Sequence, residues 1–96
     1  MMAKSILQTN KECYICGRQY WLEEHHVFSG NPNRKLSEKY GLKVWLCHWH
    51  HNEPPYGVHH NSDMRQRLQR VAQVRAMSYY GWTEDAFRNI FGKNYL

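Results

Sequence analysis

Residues 42–60, LKVWLCHWHHNEPPYGVHH, hold Cys47 and five of the chain's seven histidines, His48, His50, His51, His59 and His60. The other two, His25 and His26, stand side by side in residues 22–27, LEEHHV. Imidazole at this density points to metal chemistry, because the neutral ring is the commonest side-chain metal ligand. The start of the longer stretch alternates apolar and polar and then turns apolar throughout, which predicts a short buried strand over 42–46 running into Cys47. Residues 48–51 open a helical turn, and Pro54, Pro55 and Gly57 interrupt it.

Upstream lies Cys13-Tyr14-Ile15-Cys16-Gly17, a tight knuckle in which glycine supplies the positive φ that such turns need. Cys13-x-x-Cys16 and Cys47-x-x-His50 form two halves of a tetrahedral N/S site, the set that zinc prefers. Thirty residues separate the halves, more than in a plain zinc ribbon, and the inserted chain carries His25-His26. Three cysteines are an odd number, so a disulfide framework would leave one thiol over. Three unrelated buried cysteines are the plain alternative, and two x-x-spaced halves argue against it. Zinc thiolates imply a reducing compartment and place the protein in the cytoplasm. Two neighbouring histidines on a strand face opposite ways. One can therefore bind metal while the other reaches substrate or water.

Cys13-x-x-Cys16, Glu24-His25-His26-Val27 and Leu46-Cys47-x-x-His50-His51, taken in that order, resemble the HNH endonucleases, also called ββα-metal or His-Me finger nucleases. The likeness is closest to phage-type members related to RecA-dependent, recombination-enhancing nucleases, which carry a similar Gly-Val-His, here Gly57-Val58-His59. The motifs span residues 13–60, about half the chain. The resemblance implies His25, His51 and His59 as ligands of a catalytic divalent ion (Mg2+, Mn2+ or Zn2+), with His60 in place of His59 if the loop register differs. It implies His26 as general base, and Cys13, Cys16, Cys47 and His50 as holders of a structural Zn2+. It also implies a phage, prophage or mobile-element origin. The family's middle asparagine falls at Leu42, which leaves Asn33 or Asn31 to brace the loop behind the base. The chemistry is coherent by itself. A divalent ion with open positions neutralises a phosphate and helps the leaving oxygen, and imidazole exchanges protons near neutral pH.

The rest of the chain is less specific. Ninety-six residues make one domain, with a core small enough for a metal site to matter to its stability. Residues 1–12 read as a frayed or loosely docked arm, with no apolar run suited to a signal peptide. No later stretch suits a membrane span. Residues 19–27 suit a strand or hairpin arm, 29–35 a loop, and 37–40 one helical turn closed by Gly41. Residues 62–80 suit a long helix capped by Ser62 and ended by Gly81, with Met64, Leu68, Val71, Ala72 and Ala76 as its apolar stripe. Thr83 caps a last helix that buries Phe87, Ile90 and Phe91 and ends at Gly92.

The net charge of +5 and a pI near 9.3 suit a polyanionic partner. Arg34, Lys35, Lys39 and Lys43 are the candidate phosphate contacts. Arg65, Arg67, Arg70 and Arg75 spread around the long helix and make no stripe. Trp21, Trp45, Trp49, Tyr79, Tyr80, Trp82 and Phe87 read as core, and His48 as solvent-facing. The expectation is a small α+β domain over residues 1–96. It has a zinc-stabilised ββα-metal (HNH) core at 13–60, C-terminal helices at 62–91, and activity as a metal-dependent DNA endonuclease. Two rivals stand beside it. One is a non-catalytic zinc module that binds DNA or protein. The other is a nuclease subunit that needs a recombinase or packaging partner.

Overall fold

The structure is a computed structural model and describes residues 4–96. The order is β1 (Leu22–His26), α1 (Asn33–Tyr40), β2 (Lys43–Cys47), α2 (His48–His51), α3 (Ser62–Tyr80) and α4 (Glu84–Phe91). It is an α+β arrangement with a two-stranded antiparallel sheet among the described residues. The register pairs Leu22 with Cys47, Glu23 with Leu46, Glu24 with Trp45, His25 with Val44 and His26 with Lys43. Pleating therefore puts Glu23, His25, Val44 and Leu46 on one face, and Leu22, Glu24, His26, Lys43 and Trp45 on the other. Val44 and Leu46 join one buried cluster with Val27, Phe28, Leu42, Val58, Leu68, Ala72, Ala76, Phe87 and Phe91. No helix among the described residues is long and apolar enough to cross a membrane.

Of the two alternatives for the N-terminal arm, frayed or loosely docked, the structure shows a docked arm, although residues 1–3 lie outside the described residues. The outer edge of β2 has backbone groups that need partners, and the arm supplies them. Gln8 Oε1 accepts from Trp45 N at 2.8 Å, and Ser5 Oγ donates to the Lys43 carbonyl at 2.6 Å. Ile6 N donates to Gly41 O, and Tyr14 N to Trp45 O.

Helix α1 begins at Asn33, four residues before the expected turn. The glycine- and asparagine-rich approach hides it, yet Arg34 N already bonds Gly30 O and Leu36 N bonds Pro32 O. Its buried Ser37 clamps the chain leaving β1, accepting from Phe28 N at 3.1 Å and donating to Phe28 O at 2.9 Å. Phe28 in turn packs its ring against Phe87, Phe91 and Tyr95.

Helix α3 has the expected bounds, but Asn61 caps it rather than Ser62: Asn61 Oδ1 accepts from Met64 N. Leu68, Ala72 and Ala76 are buried as the stripe requires. Val71 lies in solvent, and Gln73 is fully buried instead. Gln73 can take that place because the C-terminal tail satisfies its amide. Its Nε2 donates to Asn94 Oδ1, and its Oε1 accepts from Tyr95 N, both at 2.7 Å. Helix α4 follows its reading: Thr83 Oγ1 accepts from Ala86 N, Phe87 and Phe91 are buried, and Gly92 is left-handed. Tyr80, Trp82 and Phe87 pack inside, whereas Trp21, Trp49 and Tyr79 are exposed. Two of these exposed rings, Trp21 and Trp49, stack on each other beside Arg18.

Gly41 joins α1, β2 and the arm. It closes α1 at φ 72°, and a Cβ there would collide with the Lys4 carbonyl. Gly41→Ala is expected to cost about 1–3 kcal/mol and to release the arm. Urea denaturation checks the first effect, and faster proteolysis before Cys13 checks the second.

Candidate functional site

Strand β2 ends at Cys47, which stays extended at ψ 159° while α2 starts behind it. Each helical step turns by about 100°, so one turn sends its histidines in different directions. His50 falls back towards Cys47, His51 points towards β1, and His48 meets two carboxylates.

The first centre is the expected one: Cys13, Cys16, Cys47 and His50 have their ligand atoms within 4.8 Å of one another. Cys16 Sγ and Cys47 Sγ are 3.8 Å apart. His50 Nδ1 is 3.3 Å from Cys47 Sγ and 3.8 Å from Cys13 Sγ. Metal–sulfur bonds of about 2.3 Å at a tetrahedral centre put sulfurs about 3.8 Å apart, so the donor set fits a zinc ion. The three cysteines are free thiols. Burial pushes the Cys16 thiol up, reinforced by the Cys13 and Cys47 sulfurs. Cys13 lies below the ordinary thiol value because backbone N–H groups aimed at its sulfur outweigh its burial. Three sulfurs this close need a cation before all can be thiolates. Arg18 adds a positive charge at the rim, its Nη1 3.8 Å from Cys47 Sγ.

The second centre joins His25, His51 and His59. His25 is buried, and its Nε2 has no hydrogen-bond partner among the described residues. Burial first, then the neighbouring His51, His59 and His26, push its pKa down to about 3, so the ring is neutral. His51 Nδ1 lies 2.7 Å from Glu23 Oε1. Glu23 stays ionised because its hydrogen bonds with His51 and His48 outweigh its burial. An ionised carboxylate only accepts, so His51 donates from Nδ1, and its neutral form turns a bare Nε2 inward. That Nε2 sits 3.0 Å from His59 Nε2. Metal–nitrogen bonds of about 2.1 Å put neighbouring nitrogens about 3.0–3.4 Å apart. The orphaned nitrogen, the spacing and the carboxylate behind a ligand together fit a metal ion.

The loop after α2 explains why His59 arrives there. Gly57 N and Val58 N bond Glu53 O and His50 O, and His59 N reaches His51 O. Val58 is fully buried as the anchor. A Cβ on Gly57 would meet three backbone atoms of residues 51–53 at 2.9 Å, so only glycine lets the loop close so tightly on α2. His60 is exposed and outside the cluster.

His26 is not brought into that cluster. It sits on the other face of β1 in a third group with Glu24 and Glu38, its Nε2 2.9 Å from Glu38 Oε1. Glu38 is held ionised by hydrogen bonds from Lys43 and His26, which outweigh its burial. A neutral His26 therefore donates from Nε2 and keeps its lone pair on Nδ1. Lys43, read as a phosphate contact, is only 6% exposed and is spent on Glu38 (2.7 Å) and Glu24 (3.5 Å). Arg34 and Lys35 line a cleft of about 330 Å³ with Glu24, His26 and Glu38. Lys39 lies beside this region, its Nζ over the Tyr40 ring.

The Asn33 side chain donates to the Phe91 carbonyl and the Leu42 side chain is core, so neither side chain braces the His26 loop. Val27 N bonding Leu42 O and the Ser37 clamp hold that segment instead. His48 is partly exposed as read, yet it bridges Glu53 (2.7 Å) and Glu23 (3.3 Å), which raises its pKa. Glu23, Glu24 and Glu38 were not singled out from the sequence. The signal for the first two was there, because Glu23-Glu24-His25-His26 on a strand must pair carboxylate with imidazole on each face.

The chain matches no family model, no curated protein and no solved structure.

Four outcomes are expected for the metal sites. Purified protein retains one zinc through chelator dialysis. Cys47→Ser loses that zinc and its helical circular dichroism, whereas His51→Ala keeps both. With the cysteine site filled, Glu23→Gln weakens a second zinc-binding event about 10–100-fold in calorimetric titration.

Proposed function

We propose that the chain is a metal-dependent DNA endonuclease of the ββα-metal (HNH) kind, hydrolysing phosphodiester bonds. The observation that carries this reading is the buried, unpartnered His25 Nε2 facing His51 and His59, with Glu23 holding His51 from behind. The antiparallel pair β1–β2, with α1 inserted between its strands and the short helix α2 directly after it, supports it, as does the cysteine-rich centre beside it.

Bound there, a divalent ion would supply Lewis acidity to a phosphate oxygen and an acidified water. A three-nitrogen donor set suits Zn2+ better than Mg2+, which prefers oxygen. The chain's own residues do the rest. His25, His51 and His59 hold the ion, and Glu23 fixes the His51 tautomer. His26 presents Nδ1 as proton acceptor while Glu38 anchors Nε2. His25 and His26 are neighbours on β1 but face opposite sides of the sheet, so in this reading a substrate phosphate would have to span both faces. Arg34 and Lys35 share the His26 cleft and suit flanking phosphates. The zinc at Cys13, Cys16, Cys47 and His50 is structural in this reading.

The separation of His26 from the three-histidine set favours a second reading, a non-catalytic zinc module that binds DNA or a protein. Cleavage that appears only when a recombinase or packaging protein is added would mark a partner-dependent subunit instead.

The deciding assay is conversion of supercoiled plasmid to nicked and linear forms with Mg2+, Mn2+ or Zn2+. Wild type is expected to cut, and His26→Ala to lose about 10²–10⁴-fold in rate with its zinc and circular dichroism intact. Full activity in His26→Ala would remove His26 as the base. No cutting by wild type with any metal or partner would leave the binding module.

A further inference from the structure

Beside the second centre the surface carries aromatic rings that the fold does not use. Trp21 is 64% and Trp49 41% exposed, and the two indoles stack with centroids 5.0 Å apart at 24°. Tyr20, also exposed, packs edge-on against Trp21. The Arg18 guanidinium lies over the rings of both Trp49 (5.0 Å) and Tyr20 (5.5 Å). Trp21 holds φ at 55°, a left-handed backbone that bulky residues rarely adopt. Its carbonyl is pinned by His48 N at 2.9 Å, so the start of α2 holds the strained residue in place. Strain kept at an exposed aromatic residue, where burial gives little in return, is typical of binding sites.

A cleft of about 420 Å³ runs from Trp21 and Trp49 past Leu22 to Glu23 and His48. Glu23 is the carboxylate that holds His51, so the aromatic slot adjoins the three-histidine centre through one shared residue.

The geometry points to this slot as a stacking site for an unpaired base of a single-stranded polynucleotide. Arg18, over the Trp49 ring, is a cation for that strand's phosphate, and the backbone continues towards His51. The direction of the strand rests on the hydrolytic reading of that centre, whereas the stacking itself does not. A flat neutral base matches the face of an indole pair in a way that is tolerant of sequence. A paired base has both faces covered by its neighbours in the duplex, so it cannot enter. Five residues line the slot, far short of the roughly 800 Å² per partner that a stable protein interface covers. The chain's net charge of +5 suits the polyanion.

The test uses the full chain with zinc in its cysteine site and no added divalent ion. Binding of a twelve-residue deoxythymidine strand and of a twelve-base-pair duplex is read by intrinsic tryptophan quenching and by anisotropy of the labelled nucleic acid. The expected result is quenching by the single strand, with at least about tenfold tighter binding than the duplex. Trp49→Ala and Trp21→Gly should each weaken single-strand binding about tenfold, and Trp49→Phe should restore most of it. Glycine accepts the positive φ at position 21, and zinc content with circular dichroism reports the fold of every variant.

Equal affinity for strand and duplex, absence of quenching, or wild-type binding by the folded Trp variants would overturn the inference. So would concentration-dependent self-association that the Trp variants abolish, without strand binding, since that assigns the slot to a second copy. The two readings fail separately. Strand binding that depends on the tryptophans, in a protein that cuts no plasmid, defeats only the hydrolytic reading. Plasmid cutting without tryptophan quenching defeats only the stacking site.

Discussion

Five residue pairs, from Leu22 with Cys47 to His26 with Lys43, hold β1 against β2, and neighbouring side chains leave that ribbon on opposite faces. Glu23 and His25 therefore serve one centre, while Glu24 and His26 serve another. A slip of one residue in β1 would exchange the pairs, and a slip of one residue in β2 would turn Val44 and Leu46 out of the core. Contacts outside the ladder hold this register. Gln8 and Ser5 engage the outer edge of β2, and Tyr14 N reaches Trp45 O. His48 N caps the start of the ribbon through Trp21 O, and Val27 N closes its other end on Leu42 O.

The two histidine-bearing centres are coupled through four residues of α2. A helix of one turn does not stand alone, and α2 buries none of its own residues. Its orientation comes from what it is tied to: the cysteine cluster through His50, Glu23 through His48 and His51, and the Gly57-Val58 return on its carbonyls. A zinc ion on the four cysteine-site ligands would fix the rotation of α2 and with it the aim of His51. The cysteine cluster and the three-histidine cluster are thus parts of one mechanical unit.

Across the sheet, burial of Lys43 is compatible with stability because its ammonium meets Glu38 and Glu24, and His26 hydrogen-bonds the same Glu38. Such a network costs desolvation and is retained only where every member has a partner. It removes Lys43 from the surface, and it gives His26 a defined tautomer without help from Asn33, Asn31 or position 42.

Much of this was legible from residue types at short range. The x-x spacing of Cys13 with Cys16 and of Cys47 with His50 predicts converging ligands, because one turn presents both. Gly41, Gly81 and Gly92 mark helix ends, and Thr83 marks a helix start, because their signals act within a few residues. Gly57-Val58-His59 stands out only through the family resemblance, not through a local signal. What the sequence by itself determined is this set of local choices. Tertiary structure alone decided which distant groups meet: the arm on β2, Lys43 between two glutamates, and Gln73 buried under residues 94 and 95. It also decided that Val71, Trp21 and Trp49 face solvent and that Glu23 stands behind His51. Each of these depends on a pairing more than twenty residues apart or on a vacancy in the packing, except the ion pairs of Lys43, which bridge two elements. No periodicity along the chain records where another segment will cover a surface or leave it bare.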